Sequence, residues 1–298
     1  MSLAKAVENL ENLNTTELTE LVSNSDICIY ADNGNDRSKN LFNILQSLDN
    51  KSYPIRMDIN ASNYSGGSEL RDIIDRKISS KKITICVDIT YIERNEMATI
   101  FSIIADSIEG DFCIDVVIIY ALAVYNPPTN NFTPNDRVSP AHPRFSGWYA
   151  KPQFPVTAIV GLGYEKDKAI GAIEYIEADN SYIFVPSSSE EKYIESVYEQ
   201  NAVLLKGISE KNIIQYNVHD PVESIYMLNS IIAETKKVSK PALFPFGPKV
   251  FFSTSLIVAL IHPEASVWYV SGEYYDNKYE NQKTASLISY KLTLSNCE

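Results

Sequence analysis

Two aspartates and a histidine stand at the ends of predicted strands, where they could carry acid–base or metal chemistry. Asp32 follows the apolar run 26–31, and Asp88 lies near the end of the run 83–89. Because parallel strands end at one edge of a sheet, the two carboxylates could face a common crevice and bind Mg²⁺. His219 is the candidate general base. Aspartates after strands also cap helices, so a structural role is the alternative.

A pair of glycines, Gly161 and Gly163, closes the apolar run 156–161 and begins the following turn. Small residues between a strand and a helix let the backbone come close to a phosphate. The pattern is incomplete, because Lys166 replaces the third glycine of a dinucleotide-binding turn and Glu165 would oppose a phosphate at the helix start. The pair therefore predicts either a ligand-binding turn or a tight strand-to-helix turn.

Lys249 is the candidate cation for an anionic ligand. It follows Pro248 at the start of the apolar segment 250–261, which ends at His262 and Pro263. Proline favours the first position of a helix, and a helix N-terminus beside an ammonium group suits an anion. A lysine that merely covers the helix start is the alternative. The phosphate-binding pattern GxxxxGK[ST] does not occur in the sequence.

All seven arginines lie within the first 144 residues. Bidentate binding of a carboxylate or phosphate by arginine must therefore come from this part of the chain. Arg37 and Arg94 follow predicted strands at helix starts, which places them near the edge of the sheet. We predict both as ligand-binding residues.

The segment 126–154 contains six prolines and shows neither a helical nor a strand period. Loops of this length are uncommon in compact domains unless they act as a lid, an arm or a linker. His142 and Trp148 lie in this segment and could cover a planar ligand. The alternative is that the same side chains pack the loop onto its own domain.

Short β-branched runs alternate with segments of helical period along the chain. Continuous hydrophobicity within the runs is typical of strands buried on both faces of a parallel sheet. The predicted fold is therefore α/β and Rossmann-like, with a mostly parallel sheet and helices on both faces. The eight predicted strands are residues 26–31, 55–59, 83–89, 114–120, 156–161, 182–186, 213–216 and 267–271.

Two tyrosine-rich runs near the C-terminus, 267–275 and 286–294, predict a pair of antiparallel strands on a sheet edge. The chain then divides into a first βα-rich half at 1–125, a proline-rich loop at 126–154 and a second half at 155–298. Whether the two halves share one sheet is left open.

Three helix starts carry capping patterns. Thr90 followed by Glu93, and Ser188 followed by Glu191, predict capping boxes, in which each side chain bonds to the other residue's backbone. Asp220 before Pro221 predicts an N-cap residue with a proline at the first helical position.

The 298-residue chain has a formal net charge of −12, which disfavours binding to the phosphate backbone of nucleic acids. Its 45% hydrophobic and 21% charged residues are typical of a globular protein and exclude wholesale disorder. Cys28, Cys86 and Cys113 lie in β-branched runs without zinc-site spacing, which predicts reduced core thiols. Without a signal-peptide pattern or an apolar run of membrane-spanning length, we expect a soluble cytoplasmic protein.

These patterns lead to three hypotheses. The first is a ligand-binding or sensor protein that recognises a small anionic molecule, such as a nucleotide, at the carboxyl edge of the sheet. The second is a hydrolase of phosphorylated substrates that uses Mg²⁺ at Asp32 and Asp88. The third is an interaction subunit that forms a homo-oligomer or binds a protein partner through its tyrosine-rich strands or its proline-rich loop. No motif decides whether the protein is an enzyme.

Overall fold

The chain forms two compact units, each with its own six-stranded sheet. The first unit comprises Ala4–Val124 and Tyr279–Glu298, and the second unit comprises Tyr125–Lys278. The second unit is therefore inserted into the chain of the first. The structure is a computed structural model that describes residues 4–32, 34–47, 53–57, 66–127, 137–147, 151–165, 167–188, 191–271 and 283–297.

Strands and helices alternate through most of both units, as expected for βαβ crossovers. In chain order the elements are β1 (Lys5–Asn12), α1 (Thr15–Asn24), β2 (Ile27–Ala31), α2 (Lys39–Ser47), β3 (Tyr53–Met57), α3 (Gly66–Lys77), β4 (Lys82–Asp88), α4 (Arg94–Asp106), β5 (Cys113–Ala123), β6 (Arg137–Pro140), β7 (Val156–Gly161), α5 (Lys168–Tyr175), β8 (Asn180–Ser187), α6 (Glu191–Gln200), α7 (Ala202–Gly207), β9 (Ile213–Asn217), α8 (Pro221–Thr235), β10 (Lys240–Pro245), α9 (Lys249–Ile261), β11 (Ser266–Ser271) and β12 (Thr284–Asn296).

The first sheet has the strand order β1-β12-β5-β4-β2-β3. Strands β2 to β5 are parallel, whereas β12 runs antiparallel to both β5 and β1. From β2 the chain crosses to β3 on one side and then returns past β2 to β4 and β5. The chain therefore changes direction between β2 and β4, and we call this boundary the first switch point. Helix α1 packs against α2, and α3 packs against α4.

The second sheet has the order β6-β11-β10-β7-β8-β9. Strands β7 to β11 are parallel, and β6 runs antiparallel to β11. The chain passes from β7 through β8 to β9 on one side, and then crosses to β10 and β11 on the other. We call the β7–β10 boundary the second switch point. The five parallel strands have the order 3-2-1-4-5 of Rossmann dinucleotide-binding sheets, in which ligands bind outside the carboxyl ends of the strands at the switch point, whereas the sixth strand, β6, precedes them in the chain and is antiparallel.

The predicted fold class is confirmed: the protein is α/β and Rossmann-like, with mostly parallel sheets, helices and antiparallel strands at the sheet ends. All eight strands predicted from continuous apolar runs are present, within a few residues of their predicted bounds. Central strands are buried on both faces, as in β2, where every side chain is buried, whereas the edge strand β9 exposes Gln215 and Asn217. None of the helices in the described part of the chain is long and apolar enough to cross a membrane.

The predicted pairing of the two C-terminal strands is wrong. Strand β11 pairs with β10 and β6 in the second sheet, whereas β12 pairs with β5 and β1 in the first. Residues 284–296 therefore belong to the first unit, although the sequence placed them in the second half. Both edges of β12 are occupied, so this strand offers no open edge to a partner. Alternation and turn residues predict strands, but they do not encode which distant strand each one meets.

Two of the three predicted helix caps can be compared with the structure, and they had different outcomes. The Ser188–Glu191 box spans residues 189 and 190, which lie outside the described residues. Asp220 Oδ1 accepts the Glu223 N–H at 2.9 Å and Pro221 begins α8, so this cap is confirmed. The Thr90–Glu93 capping box is wrong, because α4 begins three residues later with Glu93 at the N-cap and Glu96 bonded back to it. Thr90 Oγ1 instead accepts the Ala121 N–H at 2.9 Å, which ties the loop after β4 to β5.

Candidate functional site

The two predicted carboxylates at the first switch point are part of local hydrogen-bond networks. Asp32 Oδ1 accepts the Gly34 N–H and the Ser38 hydroxyl, each at 2.8 Å. Asp88 is 3% exposed, and its Oδ1 accepts the Thr90 N–H at 2.9 Å. Both carboxylates therefore stabilise the loop that follows their own strand, which is the structural alternative recognised from the sequence.

Arg37 is held inside the first unit. It is 4% exposed, its Nε and Nη2 donate to the Ala121 carbonyl at 3.1 and 2.7 Å, and its guanidinium lies 5.5 Å from the centre of the Tyr91 ring. Two donors of the guanidinium are thus directed at the end of β5. In this arrangement Arg37 links the loop after β2 to β5.

Arg94 is the first residue of α4, as predicted, but the helix start around it is acidic. Glu93 is the N-cap, and Glu96 Oε2 accepts the Glu93 N–H at 3.2 Å. These carboxylates offset the positive end of the helix dipole, which disfavours an anion. Among the residues that the structure describes, no group of three His, Cys, Asp or Glu side chains comes together to hold a metal ion. The Mg²⁺ site at Asp32 and Asp88 stays a prediction.

At the second switch point, two loops lie in direct contact. The Gly161 carbonyl accepts the N–H groups of Phe246 and Gly247 at 2.9 and 3.1 Å. A Cβ atom on Gly247 would lie 2.7 Å from the Leu162 carbonyl, and one on Gly163 would lie 3.1 Å from the Phe246 carbonyl. The glycines are therefore required for the close packing of the two loops.

This packing brings the predicted glycine turn to the start of the predicted lysine helix. Lys249 is the first residue of α9, two positions after Gly247, and Pro248 at the N-cap has no side chain that could cap the helix. No acidic residue lies in the first turn of α9. By contrast, α8 in the same unit is capped by Asp220 and has Glu223 in its first turn. The structure therefore brings the loop of Gly161 and Gly163 and the helix start at Lys249 together at the second switch point.

Aromatic side chains fill the space behind this turn. Tyr216 and Phe251 have ring centres 4.6 Å apart, and Phe184 lies 5.3 Å from Phe251. A Cβ atom on Gly161 would lie only 2.4 Å from the Phe251 ring. The Gly161 position is therefore closed by the protein's own side chains. We call the side of the turn away from Phe251 its front.

The front of the turn carries charges of both signs. Lys168 is the first residue of α5, and its ammonium lies 5.8 Å from the centre of the half-buried Phe246 ring. Glu165 is exposed and folds back on the turn, so that its Oε2 would lie 2.1 Å from a Cβ atom on Gly163. Asp167, the N-cap of α5, has a left-handed backbone with φ 61° and makes no side-chain cap bond. An anionic ligand would meet lysines on both helices and carboxylates on one loop.

The remaining predicted site residues lie elsewhere. His142 Nδ1 accepts the Arg144 N–H at 3.2 Å, in a short turn next to Ser266 at the amino end of β11, which is the opposite end of the sheet from Lys249. His219 follows β9 at the carboxyl edge, and its N–H donates to Asn217 Oδ1 at 3.0 Å. Trp148 lies outside the described residues.

Arg37 and Arg94 belong to the first unit, whereas Gly161, Gly163 and Lys249 belong to the second. The sequence left open whether the two halves share one sheet; the structure has two sheets, so these residues lie at two sheet edges, one in each unit. The sequence could not decide this because βα alternation looks the same whether consecutive units extend one sheet or begin another.

One residue at the second switch point was not predicted from the sequence. Asn201 is 4% exposed, and its side-chain amide donates to the Gly163 carbonyl at 2.8 Å. It stands at the break between α6 and α7, inside a stretch of helical period. An asparagine in such a stretch competes with helix formation, and this could have marked it as a side chain bonded to backbone.

The sequence matches no model of a protein family and none of the curated proteins with which it was compared.

Proposed function

We propose that the protein binds a small anionic molecule, and specifically a nucleotide, in front of the glycine turn at the second switch point, as a ligand-binding or sensor protein. One observation carries the proposal: a helix that begins with lysine, without an acidic first turn, starts at the switch point against the glycine turn. The first amides of a helix have no acceptor within the helix, and its dipole favours negative charge. We place the protein in the cytoplasm, where its four thiols would stay reduced.

The aromatic residues at the same edge favour a nucleotide over a bare phosphate. Tyr164 in the glycine turn and Tyr193 on α6 have half-buried rings 5.7 Å apart, and Phe246 lies in the facing loop. Planar rings of this kind stack on bases. Glu165, which opposes a phosphate, can accept hydrogen bonds from the hydroxyl groups of a ribose.

The proposal is tested by ligand binding to the full chain. AMP, ADP, ATP and inorganic pyrophosphate are added separately in a thermal-shift assay, and any positive result is measured by calorimetry. A ligand at one hundred times its Kd stabilises the native state by about 2.7 kcal/mol, which is a clear shift in Tm. We expect at least one nucleotide to raise Tm more than pyrophosphate does. If none of the four raises Tm or releases heat on titration, the proposed function is wrong.

A further inference from the structure

We propose that Asn201 is a positioning residue for the glycine turn, an inference that rests on the proposed function. Its side-chain amide donates to two backbone carbonyls, Gly163 and Val197, each at 2.8 Å. Val197 belongs to α6, whereas Gly163 lies 38 residues earlier in the chain. The two N–H groups of one buried side chain thus connect the turn to the helix.

This bond fixes more than the carbonyl that accepts it. The peptide bonds of the described chain are trans, so the N–H of Tyr164 points away from the carbonyl of Gly163. When Asn201 directs that carbonyl toward the α6–α7 break, it also sets the direction of the Tyr164 N–H on the other side of the peptide plane. Backbone N–H groups of a glycine turn are the donors that a phosphate uses.

The backbone around Asn201 is shaped to reach the turn. Helix α6 ends at Gln200 and α7 begins at Ala202, and Asn201 between them has φ −109° and ψ 16°, outside the helical range. Glycine at position 163 has no side chain that could hold the turn itself. Asn201 therefore fixes the turn by a hydrogen bond from a neighbouring helix break. Supporting residues around binding sites act in the same way.

Asn212 offers a matched control in the same unit. Its side-chain amide also bridges elements, donating to the Ser181 carbonyl at 3.0 Å and to Asn180 Oδ1 at 3.1 Å, but at the amino end of β8. Asn201→Ala and Asn212→Ala each remove one bridging amide. Only the first removes a bond to the glycine turn.

The experiment compares the wild type, N201A and N212A by calorimetry with ADP and pyrophosphate, at a temperature well below each Tm. We expect N201A to weaken ADP binding by about tenfold, the lower end of the cost of losing a supporting hydrogen bond. N212A should stay within twofold of the wild type. A purely structural role would lower Tm and leave the affinity of the folded protein unchanged. If N201A does not fold, N201L, which has a similar volume but no hydrogen-bond donor, is measured in its place.

The outcomes separate this inference from the proposed function. Wild-type binding of ADP together with unchanged affinity in N201A or N201L overturns the role of Asn201 and leaves the proposed function standing. Equal weakening in N201A and N212A also overturns it, because the effect would then not depend on the turn. A wild type that binds neither probe overturns the proposed function, and the role of Asn201 with it.

Discussion

The two switch points differ in the charge of the helices that leave them. At the first, α4 has Glu93 at its N-cap and Glu96 in its first turn beside Arg94, and the short turn before α2 contains Asp36. At the second, α9 begins with Lys249 and has no acidic residue in its first turn, whereas α5 begins with Lys168 after Asp167. Acidic residues neutralise the positive end of a helix dipole, and a first turn without them leaves that end attractive to an anion. The start of α9 therefore favours an anion more than the start of α4 does, and this difference is the basis for proposing a ligand at the second switch point.

The comparison also shows that a polar residue after a strand is a weak sign of a ligand site. At the first switch point Asp88 and Arg37 are almost completely buried, and both hydrogen-bond to nearby backbone. These two polar side chains stabilise the loops that follow the strands. At the second switch point the polar residues in front of the turn are exposed or half-buried.

The largest predicted effect concerns Arg37 at the first switch point. Arg37→Ala removes two hydrogen bonds to the buried Ala121 carbonyl and the contact with the Tyr91 ring. We expect the free energy of unfolding, measured by urea denaturation, to fall by about 2–4 kcal/mol. The affinity of the folded protein for ADP should stay unchanged. Arg76→Ala, an exposed arginine on α3, is the control and should stay within about 0.5 kcal/mol. A stable Arg37→Ala protein with weakened ADP binding would show that the first edge takes part in binding.

The next effect concerns the packing behind the glycine turn. In Gly161→Ala the new Cβ would lie 2.4 Å from the buried Phe251 ring, so that the ring or the turn must move. Overpacking of this kind costs about 1–3 kcal/mol of unfolding free energy and should also lower ADP affinity. Gly207→Ala is the control, because no atom lies within 4 Å of its Cβ position. Equal stability of the two variants would contradict the close packing of this turn.

The smallest effect is a pH dependence of the second unit, which contains all three histidines of the chain. His262 Nε2 bonds to Asn229 Oδ1 at 2.8 Å, and its Nδ1 is buried without a partner among the described residues. Burial lowers the pKa of His262, and Lys236 lowers it further, against an opposing effect of Glu264.

The sign of this dependence follows from the lowered pKa of His262. The unfolded chain takes up a proton as the pH falls below about 6.5, whereas the folded protein resists it, so stability is lost toward acid pH. We expect Tm to fall between about pH 7.5 and about pH 5.5, and to fall less in His262→Gln. A fall of Tm in His262→Gln that equals or exceeds the fall in the wild type would show that His262 does not cause this pH dependence.

Strand positions could be predicted from the sequence because buried parallel strands are continuous apolar runs. Strand β10 was missed, although it lies at the centre of the second sheet, because Pro241 and Pro245 lie within its six residues. Proline removes a backbone donor and normally argues against a central strand. Strand β1 was not predicted, because its charged residues and the bulge between Glu8 and Glu11 interrupt the apolar pattern that marks a strand. Such features are typical of edge strands.

The positions of Gly161 at the end of β7 and of Lys249 at the start of α9 could be predicted, because turn chemistry and helix starts are local in sequence. The contact of Asn201 with the turn could not, because its partner Gly163 is distant in the chain and a hydrogen bond between them leaves no local pattern. That Arg37 and Lys249 belong to different sheets could not be predicted either, since strand order depends on long-range packing.

The most direct test is calorimetric titration of ADP into Lys249→Gln and Arg94→Gln, which remove the cation at a helix start from the second and the first switch point. Lys211→Gln, near the amino end of β9, controls for the change in net charge. Loss of one charge-assisted hydrogen bond should weaken binding by about ten- to a hundredfold in Lys249→Gln. Arg94→Gln and Lys211→Gln should bind as the wild type does. Unchanged affinity in Lys249→Gln, or a larger loss in Arg94→Gln, would contradict the account.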